Sequence, residues 1–239
     1  MRLAVFSDVH GNLAALDAVL SDIGRRGVDM IVGLGDFLSG PFDPRGVAER
    51  LMAAGFPLVR GNHDRWVSDG REENDWAVDK LVRDLLDGEQ LRWLAALPPT
   101  QVIDGAVFLC HGTPTSDSTF WMDQLTSELG VVSSSRAWIE AAAEGYDFPV
   151  LLCGHTHVQR TLRLADGRLL LNPGSVGLPF LLGSTDARYA ILERRQGAWS
   201  AELHAIPYDR ETPKQQARAH GHPGFARALD TGWATLAEL

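Results

Sequence analysis

Five short polar clusters, each placed directly after a run of apolar residues, constrain this chain more than any other feature. They are Asp8-x-His10, Gly35-Asp36, Gly61-Asn62-His63-Asp64, His111-Gly112 and Gly154-His155-Thr156-His157. The runs before them (Leu3 to Ser7, Met30 to Leu34, Pro57 to Arg60, Val102 to Cys110 and Val150 to Cys153) are short, as in strands buried on both faces. Helical patterns separate the first three runs. Asn12 caps a helix with Leu13, Leu16, Val19, Leu20 and Ile23 at helical spacing, stopped by Gly27, and a second helix covers about Pro44 to Ala54. A βαβαβ rhythm of this kind calls for a parallel sheet covered by helices. Ligands bind to such sheets beyond the carboxyl ends of the strands, where the loops converge.

The remainder of the chain changes character twice. Residues 65–100 read as helical and polar, ended by Pro98-Pro99, and residues 113–146 as loop and helix. Asp104-Gly105 signals a hairpin, and after residue 157 the pattern becomes antiparallel. Asp166-Gly167 joins strands over 158–164 and 168–172, and Gln196-Gly197 joins strands over 188–194 and 198–206. A helix is expected in the tail from residue 209. Together these elements predict one domain over residues 1–239, with two mixed sheets stacked between helices.

Five of the eight histidines fall inside the clusters. One cluster alone reads as a turn or as a hydrogen-bonded strand end, but five at strand ends form a set. Asp8, His10, Asp36, Asn62, His111, His155 and His157 are seven candidate metal ligands. Imidazole and carboxylate without thiolate suit first-row ions such as Mn, Fe, Zn or Co. Seven donors are too many for one tetrahedral ion and match two ions sharing a carboxylate. Cys110 and Cys153 are too few for a disulfide framework and read as buried thiols at strand ends. The net charge of −9 argues against a nucleic-acid partner. No apolar run approaches the roughly 18 residues of a membrane span, and the N-terminal run is too short for a signal peptide. A cytoplasmic protein with no membrane partner is expected.

In this order the clusters resemble the calcineurin-like metallophosphoesterase superfamily, and most closely its small bacterial and archaeal phosphodiesterase-like branch. That branch opens with a segment like Phe6-Ser7-Asp8-Val9-His10-Gly11-Asn12-Leu13 and closes its site with one like Asn172-Pro173-Gly174-Ser175-Val176-Gly177. The resemblance covers residues 3 to about 206. It implies a four-layer α/β/β/α sandwich (the metallo-dependent phosphatase fold), with residues 65–100 and 113–146 forming a partial cap. It further implies two divalent transition-metal ions (Mn, Fe, Zn, Co or Ni). Asp8, His10 and His157 would hold one, Asn62, His111 and His155 the other, with Asp36 bridging and a shared hydroxide as nucleophile. His63 would stand beside the scissile phosphate and donate to the leaving-group oxygen, oriented by Asp64.

The implied activity is hydrolysis of a small phosphate ester, most closely a phosphodiester. A phosphomonoesterase, protein phosphatase-like activity included, is the enzymatic alternative, and a non-catalytic scaffold of the same fold is the other. The complete ligand set, with His63 in place, argues against the scaffold. Homo-oligomerisation is left open. Arg60, Phe42 and Ser175 are candidate substrate contacts, with a structural ion pair the competing reading of Arg60. Phe42 stands where relatives often carry Tyr. The tryptophans of the two helical excursions, Trp66 among them, read as core or cap contacts, with stacking on a nucleobase-bearing substrate the alternative.

Overall fold

The computed structural model describes residues 1–70, 77–126 and 130–234. Strand β1 (Arg2–Phe6) leads into helix α1 (Leu13–Gly24), whose first turn is held by the Asn12 side chain accepting from the Ala15 N–H. Strand β2 (Met30–Gly33) pairs parallel with β1. Helix α2 (Pro44–Ala54) follows, started by the Asp43 side chain on the Gly46 N–H with Pro44 in the first turn, and ended by Gly55. Helices α3 (Asn62–Asp69), α4 (Ala77–Leu85) and α5 (Gly88–Ala96) make up the first excursion. Then come β3 (Gln101–Ile103), β4 (Val107–Leu109), β5 (Asp123–Thr126), β6 (Gly130–Ser133), α6 (Arg136–Ala142) and β7 (Val150–Leu152). The chain continues through β8 (Arg160–Arg163), β9 (Leu169–Asn172), β10 (Ala187–Arg195) and β11 (Ala198–Ile206). Helices α7 (Glu211–Ala219) and α8 (Pro223–Thr231) complete the described chain.

The strands form two mixed sheets, in the orders β11-β10-β1-β2 and β3-β4-β7-β9-β8, with β5-β6 as a separate hairpin. Alternation along each strand builds the layers. Leu3 and Val5 of β1, Ala190 and Leu192 of β10, Val150 and Leu152 of β7, and Leu169 and Leu171 of β9 meet in one core between the sheets. Their neighbours point outward. Ala4, Phe6, Tyr189 and Ile191 pack under helices α1 and α2, while Leu151, Leu170 and Phe108 pack towards α6. The result is the α/β/β/α sandwich expected from the sequence. Val67, Val78, Val82 and Leu94 tie α3, α4 and α5 into the same outer core as α1. No helix among the described residues is long and apolar enough to cross a membrane.

Two local expectations need correction. Residues 57–60 do not form a full third strand. Leu58 makes a single parallel bridge to Gly33, and the Arg60 N–H then turns away to the Pro98 carbonyl at 2.8 Å. Within 113–146 the chain forms the β5-β6 hairpin as well as a helix. Cys110 and Cys153 are buried free thiols, as read, and burial pushes both thiols well above their ordinary range.

Candidate metal centre

All seven candidate ligands sit where the carboxyl ends of the two sheets face each other: Asp8 and His10 after β1, Asp36 after β2, His111 after β4, His155 and His157 after β7. Asn62 opens α3. The loops that carry them are tightly wound. Among the described residues, seven that are not glycine have positive φ, and five of these are Asp8, His10, Asp36, His155 and His157, at 48° to 67°. The other two, Asp104 and Gln196, are hairpin residues before a glycine. Left-handed backbone at an ordinary residue costs of order 1–3 kcal/mol and persists where the surroundings enforce it. Glycine is required beside these loops. A Cβ on Gly35, whose φ is +100°, would lie 2.5 Å from the Gly61 nitrogen, and one on Gly61 would lie 2.1 Å from Asp36 Oδ1.

Three of the histidines are aimed by backbone carbonyls. The Nδ1 of His10 meets the Ser39 carbonyl at 2.6 Å, that of His111 meets the Leu34 carbonyl at 2.7 Å, and that of His157 meets the Leu178 carbonyl. A carbonyl can only accept, so each Nδ1 carries a proton and each Nε2 is turned to the interior. There they converge. His10 Nε2 lies 3.1 Å from His157 Nε2, and His111 Nε2 lies 3.1 Å from Asp36 Oδ2. Asn62 Oδ1 and His155 Nε2 are buried without a hydrogen-bond partner. Such orphans are rare in folded interiors. The donors Asp8, His10 and His157 lie within 4.8 Å of one another, and so do those of Asp36, His111 and His155. The residues therefore fit cation binding at both groups, with Asn62 offering a further oxygen.

The electrostatics of the protein alone fit the same arrangement. Burial favours the neutral forms of His10 and His155, and neighbouring imidazoles add to it, pushing both to about 3. Burial would also lower His111, but the Asp36 and Asp8 carboxylates outweigh it and raise His111 to about 10. Burial would raise Asp8 and Asp36, and the surrounding imidazoles instead draw both below the usual carboxylate range. An ion at the second group would displace the His111 proton, because a metal ligand must be deprotonated.

His63 lines the same cleft, and its partner differs from the expected one. Its Nδ1 lies 3.2 Å from both carboxylate oxygens of Asp79 and 3.3 Å from Ser39 Oγ, which itself donates to Asp79. Asp79, on α4, is buried. Asp64 does not orient His63. Its carboxylate accepts from the N–H groups of Asp36 (2.8 Å), Phe37 (2.9 Å) and Gly61 (3.0 Å), clamping the Asp36 loop to the start of α3. Burial and the nearby Asp36 raise Asp64 to about 6. Burial opposes the charge on His63, while Asp36 and Asp79 favour it and prevail, so its pKa is raised. Asp79 has one sequence signal: it falls among Val78, Val82 and Leu86 on the buried stripe of its helix.

The three candidate substrate contacts lie off the cleft wall. Arg60 reaches the Ala95 carbonyl at 3.4 Å, which is neither a carboxylate nor a cleft contact. Phe42 is buried behind Phe225, ring to ring at 5.9 Å. Ser175 is fully buried. Its Oγ donates to the Asp8 carbonyl at 2.7 Å and accepts from the Leu178 N–H at 2.8 Å, so it ties the first ligand loop to the loop below it. Asn172 acts alike, donating to the Gly154 carbonyl at 2.6 Å under His155 and His157. The cleft itself encloses about 240 Å³, and Trp66 forms part of its wall.

Comparison with known proteins agrees with this geometry. The model of the calcineurin-like phosphoesterase superfamily domain matches residues 1–197. The phosphodiesterase YfcE of Escherichia coli K12 is 30% identical over 208 residues, spanning 81% of this chain and 88% of its own. The Methanocaldococcus jannaschii protein MJ0912 is 28% identical over 230 residues, spanning 87% and 88%. Among solved structures, a metallophosphoesterase from Sphaerobacter thermophilus superposes with a TM-score of 0.76 at 31% identity, covering 97% of this chain and 100% of that one.

Proposed function

Because the chain belongs to the calcineurin-like phosphoesterase superfamily, we propose that it hydrolyses phosphate esters, phosphodiesters foremost, with two divalent transition-metal ions in the cleft. The observation that carries this reading is the convergence of two buried donor groups, Asp8 with His10 and His157 and Asp36 with His111 and His155, beside Asn62 Oδ1 and His155 Nε2, which have no hydrogen-bond partner. Asp8, His10 and His157 would hold one ion, Asn62, His111 and His155 the other, and Asp36 both. Such ions neutralise phosphoryl oxygens and make water nucleophilic at neutral pH. The chain's own residues supply the rest. The carbonyls of Ser39, Leu34 and Leu178 aim the imidazoles of His10, His111 and His157 through Nδ1. His63, held through Nδ1 by Asp79, keeps a proton available for the departing alkoxide, a contribution of about 10²–10⁴-fold. Asp64 sets the Asp36 loop against α3 rather than touching the proton donor. The preference for a diester is supported by the name of the E. coli relative, a phosphodiesterase. Residues 65–100 and 113–146, which contribute Trp66, Ser118 and Phe120 to the cleft, act as a partial cap on a single domain.

The test is turnover of an aryl phosphodiester by purified protein with Mn²⁺, Co²⁺, Ni²⁺ or Zn²⁺, abolished by chelator. His63→Ala should lower turnover by about 10²–10⁴-fold at unchanged metal content. No turnover with any of the four ions would leave the scaffold reading in its place, and loss of metal from the His63 variant would mean that this residue is a ligand.

A further inference from the structure

The walls of the cleft carry a feature that the metal chemistry does not use. Three histidines of the site each have an aromatic ring against them. Trp66 stands edge-on to His63 at 4.7 Å, Phe120 lies on His155 at 4.6 Å and 29°, and Phe180 lies on His157 at 4.6 Å and 9°. Leu178 and Phe225 extend the apolar wall. Among the described residues, those lining the cleft include no lysine or arginine. Arg65, next to Trp66, gives its guanidinium to Asp117 in two hydrogen bonds of 2.7 and 2.8 Å.

We propose, resting on the phosphodiester reading above, that this aromatic collar binds the ester arms, so that the substrate is a singly charged phosphodiester with compact, uncharged, apolar or aromatic arms. The charge pattern argues first. An arm carrying a carboxylate or further phosphates would enter a wall whose described residues carry no cationic side chain, close to the buried carboxylates of Asp36 and Asp79. An anion placed so loses hydration and gains no partner. Apolar surface argues next. An aryl arm against Trp66, Phe120 or Phe180 removes both faces from water and meets the rings in edge or offset contacts. Size completes the case. A cleft of about 240 Å³ lies below the roughly 300–1,000 Å³ of drug-sized sites, so the arms are small.

Binding of three non-hydrolysable probes to Mn²⁺-loaded protein, read by calorimetry, tests this without relying on turnover. Diphenylphosphinate and dimethylphosphinate carry one charge and two arms, and phenylphosphonate carries one arm and a second charge. Diphenylphosphinate should bind at least about tenfold more tightly than dimethylphosphinate, the order expected for one buried ring, and more tightly than phenylphosphonate despite its lower charge. Trp66→Ala should cut the diphenyl-to-dimethyl ratio at least threefold, and Trp66→Phe should restore most of it. That ratio does not move when a variant merely reduces the active fraction. Equal binding of the phenyl and methyl probes, a lead for phenylphosphonate, no binding of any probe, or a ratio indifferent to Trp66→Ala would each overturn the proposal. Protein that binds in the expected order but hydrolyses no ester would overturn the hydrolase reading and leave the collar standing.

Discussion

Helix α1 connects two polar clusters of opposite character. At its far end, Asp22 accepts from Tyr189 Oη at 2.5 Å, Arg26 Nε at 2.6 Å and the Arg25 guanidinium at 2.9 Å, on ordinary helical backbone. Each charge there has its partner within the protein. At its near end the loops after β1, β2 and β7 hold five residues in left-handed conformations, bring the Nε2 atoms of His10 and His157 to 3.1 Å of each other and leave Asn62 Oδ1 and His155 Nε2 without a partner. A satisfied cluster contributes to folding, whereas an unsatisfied one costs folding free energy and persists for what it binds. The contrast separates residues that hold this protein together from residues that make it act.

The largest expected effect tests that separation directly. His155→Ala deletes a nitrogen that has no partner in the protein, so chelator-treated protein should keep its stability to within about 1 kcal/mol. Turnover should fall by at least about 10³-fold, because metal clamps supply several kcal/mol of charge stabilisation. Ligand linkage provides a second reading. Ions at a hundredfold excess over their dissociation constant should stabilise the wild type by about 2.7 kcal/mol, and His155→Ala should lose most of this gain. Equal stabilisation of both forms by Mn²⁺ in thermal melts would show that His155 is not part of the metal site.

A smaller effect distinguishes the two aspartates around His63. Asp79→Asn removes the carboxylate at His63 Nδ1 and should lower kcat by about 10–100-fold, the usual range for a partner that orients a working imidazole. The loss should be greater for alkyl than for aryl leaving groups, which need little help from a proton. Asp64→Asn should act chiefly on stability, by about 1–3 kcal/mol, since one amide oxygen cannot receive three backbone N–H groups. Melting curves and a leaving-group series on both variants would show whether these roles are interchanged.

The seven candidate ligands were legible as a group because strand-end loops follow apolar runs, and an Asp, Asn or His there has no place in a core. What sequence could not assign was contact across elements. Asp64 follows His63 in the chain, yet the first turn of α3 directs its carboxylate back to the Gly61 N–H, and the partner of His63 arrives from α4, 16 residues on. Phe42 and Ser175, candidate substrate contacts by sequence, lie one layer beneath the cleft surface, where Phe225 and the Asp8 carbonyl meet them. The β5-β6 hairpin escaped notice because Asp123, Gln124, Ser133 and Gly130 interrupt any alternation of apolar residues. Residues 57–60 carried a strand's composition, but pairing there stops where the Arg60 N–H bonds to Pro98.

The smallest effect lies at the far end of α1 and is a dependence on pH. Burial would raise the pKa of Asp22, but hydrogen bonds from Tyr189, Arg26 and Arg25 outweigh it and hold the folded-state value below that of the unfolded chain. A carboxylate depressed on folding stabilises the fold fully above its unfolded pKa, near 3.9, and loses that contribution as pH falls through the lower folded value. Wild-type protein should therefore lose stability more steeply than Asp22→Asn below about pH 4, and the two curves should run parallel at neutral pH with the variant about 1–3 kcal/mol lower. Turnover of the variant at pH 7 should match the wild type, since Asp22 touches neither the ligand loops nor the cleft wall. A variant that keeps full stability but loses activity would place function at the satisfied cluster and undo the division between the two ends of α1.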